Sequence, residues 1–87
     1  MAEHRWKFDL NQKHTVKVAW KISGDAVLHL DGKHIVEADS RLFNHEFFVD
    51  GAPCTVKFAN EEVVYNFSKM TIWAPQLFVN GKKLKTS

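Results

Sequence analysis

The sequence predicts an all-β fold, an antiparallel β-sandwich of about eight short strands joined by hairpins. Three observations carry this. Apolar and polar residues alternate with period two along most of the chain, the spacing of strands with one wet face. All four glycines fall in turn segments: Ser23-Gly24-Asp25, Asp31-Gly32, Asp50-Gly51 and Asn80-Gly81. No sustained helical-period run interrupts the pattern.

The first strand is set by Trp6, Phe8 and Leu10 alternating with Arg5, Lys7 and Asp9. The second, and clearest, places Val16, Val18, Trp20 and Ile22 on one face. Ala26 to Leu30 and His34 to Ala38 flank Asp31-Gly32. Asp-Gly suits a two-residue type I′ turn, which needs positive φ at both central residues. That register sets Leu30 against Lys33, His29 against His34, Leu28 against Ile35 and Val27 against Val36. Leu28, Leu30 and Ile35 are then expected inward. A short helical turn is placed around Asp39 to Asn44. His45 to Val49 and Cys54 to Ala59 flank Asp50-Gly51, which opposes Phe47 to Cys54 and Phe48 to Pro53. Asn60-Glu61 is read as a turn before a strand over Val63 to Phe67. Thr71 to Trp73 and Leu77 to Val79 follow, with Pro75 marking a bend, bulge or edge. Asn80-Gly81 leads to a short tail strand near Leu84, setting Leu77 against Leu84 and Phe78 against Lys83.

The length of 87 residues fits one domain, residues 1–87. Three Trp, seven Phe and one Tyr exclude a disordered chain. Twelve basic and ten acidic residues leave a net charge of +2, too weak to argue for nucleic acid. The lone Cys54 cannot close an internal disulfide, which points to a reducing compartment. No apolar run approaches the roughly 18 residues of a spanning helix, and no signal peptide opens the chain. The expectation is a cytoplasmic protein with no membrane partner.

Few side chains invite chemistry. His29 and His34, opposed across a hairpin, could grip a metal, but two ligands are an incomplete site and a surface His pair is the favoured reading. Cys54 alternates onto the same face as Phe47, Val49, Val56 and Phe58, so it reads as a small core hydrophobe. Trp6 and Trp20 read as core. Trp73, beside Pro75, is the tryptophan expected to be partly exposed and open to a partner. Lys82, Lys83 and Lys85 have no acidic residue after Glu62 to offset them and read as an edge guard against aggregation. There is no phosphate loop, Walker lysine, nucleophile elbow or zinc-ligand spacing. No catalytic set, cofactor or metal is expected. Bare edge strands would permit pairing with a second chain.

An ordered pattern then stands out. A Trp near the start precedes His14-x-Val16-x-Val18, then Ser23-Gly24. Val27-x-x-x-Asp31-Gly32-Lys33, Phe47-Phe48-Val49 and Leu77-x-Val79-Asn80-Gly81-Lys82-x-Leu84 follow. From about Trp6 to Leu84 the chain resembles one domain of the Fas apoptotic inhibitory molecule family. It departs from that pattern at Asp25-Ala26, where a basic pair is usual, and between Ala38 and His45, where a Trp is usual. The resemblance implies a non-enzymatic β-sandwich, either a single-domain relative or an excised half. It also implies a cytosolic role in restraining apoptosis and protein aggregation through a protein partner. The possible partner surface is Trp73, His29, His34, Lys82, Lys83 and Lys85. The competing expectations are a small-molecule or carbohydrate-binding β module and a weak single-stranded nucleic-acid binder.

Overall fold

A computed structural model describes residues 2–21 and 23–86. Among them are eight strands: β1 (Ala2–Asp9), β2 (Lys13–Trp20), β3 (Asp25–Leu30), β4 (Lys33–Asp39), β5 (Asn44–Val49), β6 (Ala52–Tyr65), β7 (Ser68–Val79) and β8 (Lys82–Lys83). They form two four-stranded antiparallel sheets in the orders β1-β2-β3-β4 and β5-β6-β7-β8. This is the expected small β-sandwich. Ile22, expected on the apolar face of β2, lies outside the described residues.

The period-two pattern explains the core. On β2, His14, Val16, Val18 and Trp20 are buried and the residues between them are not. On β6, Ala52, Cys54, Val56 and Phe58 are buried in the same rhythm. Trp6, Leu28, Leu77 and Val79 join them in one cluster drawn from both sheets. Trp20 and Phe58 meet edge-on across it, with ring centroids 5.5 Å apart, and Phe43 meets Phe58 at 5.8 Å. Edge-to-face rings add to the area they bury because ring edge and ring face carry opposite partial charge.

Several expectations need correction. A bulge between Leu28 and His29 in the β3–β4 ladder leaves His29 opposite His34 but moves Leu28 opposite Val36 and Val27 opposite Glu37. Ile35 is the residue accommodated by the shift, and it is half-buried. The Asp39 to Asn44 segment is no helix. It is a turn closed by the Leu42 N–H donating to the Asp39 carbonyl at 3.0 Å. Asp39 accepts two side-chain bonds from Arg41, which holds its carboxyl down to about 2. Asn60-Glu61 is not a turn either. Both lie within β6, paired with Trp73 and Ile72. The chain reverses at Asn66-Phe67 instead, so each of the two pairs of short strands read there is one long strand. Pro75 sits inside β7 opposite Phe58. It is tolerated because β8 pairs only with Phe78 and Val79, so no ladder bond is missing at its nitrogen. Among the described residues no helix is long and apolar enough to cross a membrane.

Candidate functional site

β6 and β7 run on beyond the strands that flank them. β5 reaches only as far as Lys57 of β6, and β8 only as far as Phe78 of β7. The ladder continues to Tyr65 and Ser68, so the far part of this hairpin is a two-stranded arm with no further strand on either edge among the described residues. Val64, Tyr65, Phe67 and Met70 on it are large, apolar and exposed. A two-stranded ribbon in water is marginal on its own. Half-buried Ile72, packed against the core, anchors this one.

The tip is the unusual point. Four hairpin turns carry positive φ at both central residues: Asp31-Gly32 at 51° and 81°, Asp50-Gly51 at 50° and 80°, Asn66-Phe67 at 50° and 63°, and Asn80-Gly81 at 52° and 79°. Glycine takes the second position in three of them. In the arm a phenylalanine does, although a Cβ in the left-handed region is strained. Its side chain recovers nothing from packing, because Phe67 is 102% exposed.

Trp73 lies at the base of the arm and is 39% exposed, as expected. Its ring stacks on Phe58 at 6.1 Å, and its indole N–H donates to the Ser40 carbonyl at 3.2 Å. One ring face and the polar handle are therefore already engaged. His29 and His34 lie on the other sheet as an edge-to-face pair with centroids 5.7 Å apart. Burial, Lys17 and His34 lower the His29 pKa, in that order. Among the described residues no group of three or more His, Cys, Asp or Glu is placed to hold a metal ion. Lys82 and Lys85 are exposed. Lys83 is paired with Glu61 at 2.9 Å and, with the Gln76 amide, holds that carboxyl below its usual range. Thus an acidic residue does offset one of the terminal lysines. Lys83 and Glu61 both line an open groove of about 530 Å³ together with His4, Trp6 and Pro75. Cys54 is buried, its thiol 3.6 Å from the Ala52 carbonyl, and burial pushes its pKa up.

One cluster was not anticipated. His14, buried on β2, stands between the aspartates of two hairpin turns. Its Nδ1 is 2.7 Å from Asp31 Oδ2 and its Nε2 is 2.7 Å from Asp50 Oδ2. Asp31 also accepts the Thr15 N–H at 2.8 Å, and Asp50 the Asn11 N–H at 3.2 Å. Two carboxylates facing one ring require both ring nitrogens to carry protons. The imidazolium is therefore favoured, and the His14 pKa is raised by Asp31 first and Asp50 second. Both aspartates are lowered in return. Asp31 belongs to the first sheet and Asp50 to the second, so the bridge ties the two sheets at one end.

No protein-family model, curated protein or solved structure matches the chain.

Proposed function

We propose that this chain is a non-enzymatic protein-interaction module whose contact surface is the tip of the β6–β7 arm. The observation that carries the reading is Phe67. A bulky apolar residue stands fully exposed in a conformation that favours glycine, at the tip of a two-stranded ribbon whose outer residues are exposed. Strain of this kind persists where a function uses it. Tyr65 and Met70, exposed on the same arm, are of the residue types enriched in protein contacts, and Val64 adds exposed apolar surface. The His14 bridge does not suggest catalysis, since both ring nitrogens and both carboxylates are engaged with one another.

The resemblance to the Fas apoptotic inhibitory molecule family adds a setting: a cytoplasmic partner, and a role in restraining apoptosis and protein aggregation. The test is a lysate pull-down with the wild type and with Phe67→Gly, both checked for folding by circular dichroism. A protein retained by the wild type and lost by the variant supports the reading. Equal capture by both, or none by either, defeats it.

A further inference from the structure

The free edge of β7 carries a pattern that fits a second copy of itself. The Leu84 N–H donates to the Leu77 carbonyl at 2.9 Å, so the backbone of Leu77 points away from β6. Backbone direction alternates along a strand. The β6–β7 register runs without a shift from Cys54↔Val79 to Tyr65↔Ser68. Lys69, Thr71, Trp73 and Pro75 therefore also direct their main-chain groups outward. Pro75 has no N–H to offer. Among the described residues no strand lies beside Ser68 to Pro75 on this side, and the tail after β8 comes near Pro75 only. Lys69, Thr71 and Trp73 thus present unpaired donors and acceptors along an edge with one charged residue.

We propose that two copies of this chain pair antiparallel through β7, with the two-fold axis at Thr71. Thr71 then meets Thr71 of the partner subunit, and Lys69 meets Trp73 of the partner subunit on each side of the axis. Every outward N–H and C=O of these residues finds a partner. Lys69 gains an aromatic face, a favourable place for an ammonium group. Met70 falls opposite Ile72 of the partner subunit.

Axes at Lys69, Trp73 and Ile72 are each worse. An axis at Lys69 opposes two ammonium groups. An axis at Trp73 sets Thr71 against a proline and loses main-chain bonds. An axis at Ile72 brings the turn of the second copy against Leu77, whose carbonyl Leu84 already occupies. Pairing through β6 is disfavoured by its own edge. There the outward residues are Asn60, Glu62 and Val64, and an axis at Glu62, the centre of the set, opposes two carboxylates. Glu62 sits at the centre of the β6 edge, whereas the charged residue and the proline of the β7 edge, Lys69 and Pro75, lie to either side of Thr71. The proposal goes beyond the interaction-module reading and does not depend on what Phe67 contacts.

Sedimentation velocity over a wide concentration range tests it, with Thr71→Lys and Thr71→Glu as variants. The wild type is expected to show a concentration-dependent monomer–dimer equilibrium. Each variant alone places like charges opposite each other at the axis and is expected to weaken the dimer by at least about tenfold. An equimolar mixture of the two is expected to regain it, which also shows that neither variant has lost its fold. A wild type that stays monomeric, a dimer indifferent to Thr71→Lys, or a mixture that fails to associate overturns the proposal. A monomeric wild type that still retains a protein through Phe67 would leave the interaction-module reading intact.

Discussion

His14 Nε2 lies 2.7 Å from Asp50 Oδ2, joining a strand of the first sheet to a turn of the second. The same ring reaches Asp31 from its other nitrogen. A link of this kind responds to pH at both limits. The raised His14 pKa contributes stability that is fully present below the unfolded value of about 6.5 and is lost as pH rises through the higher folded value. The lowered Asp31 and Asp50 values contribute stability present above their unfolded value of 3.8 and lost as pH falls through the lower folded ones. Thermal melts from pH 3 to pH 9 (about one unit apart, against side-chain pKa values of about 4 and 6.5) should show greatest stability in the mildly acidic range. His14→Gln should lower the melting temperature there and remove the fall on the alkaline side. A profile unchanged by the substitution would show that the bridge does not hold the sheets.

Phe67→Gly should make the protein more stable. The substitution relieves the left-handed strain, and the greater chain entropy of glycine offsets part of the gain. The net increase is on the order of 0.5–1 kcal/mol, read from urea unfolding. Loss of binding together with this gain would be the signature of a residue kept for contact rather than for folding. A loss of stability would mean that the phenyl ring packs against the arm.

Trp6→Ala should cost about 3–5 kcal/mol, the usual range for deleting a buried large aromatic side chain. Trp6 is 1% exposed, and its neighbours come from both sheets. Equilibrium denaturation measures it, and a cost similar to that of an exposed-site substitution would contradict the packing.

Cys54 should resist thiol reagents in the folded protein. Its burial raises the pKa and shields the sulfur, and both effects slow reaction. Labelling should track unfolding, becoming fast only in denaturant. Rapid labelling of the native protein would show that the β5–β6 hairpin opens.

Much of this fold was legible because its signals are local. Period-two alternation fixed the faces of Trp6, Val16, Val18 and Trp20, and the Asp-Gly and Asn-Gly pairs located three hairpins. The fourth was misplaced because its turn lacks glycine. Asn66-Phe67 offered only the asparagine, and an aromatic reads as strand. Asn60-Glu61 looked like a turn because β6 becomes polar where it leaves the core. The bulge at Leu28/His29 has no residue signature, so Val36, which packs against the core beside Ile35, was placed on the other face and the partners of Val27 and Leu28 were misread. The His14 bridge was out of reach for another reason. Its partners are 17 and 36 residues away, and they are the same aspartates already explained as turn formers.

Among the described residues every strand pairs only with its neighbours along the chain, so each sheet is made from one contiguous half. Residues from β1 to β4 and from β5 to β8 are joined by a single short crossing at Asp39–Asn44, where Arg41 and Leu42 are exposed. No strand is exchanged between the halves. What unites them is side-chain contact across one interface and the polar clasp at His14. Ladder closure is therefore local and quick, while the meeting of the two faces is the step that commits the chain to its native form. The molecule resembles a heterodimer whose two components happen to share one polypeptide. A chain nicked after Arg41 has lost a tether but no ladder, and its two fragments retain every contact needed to find each other again.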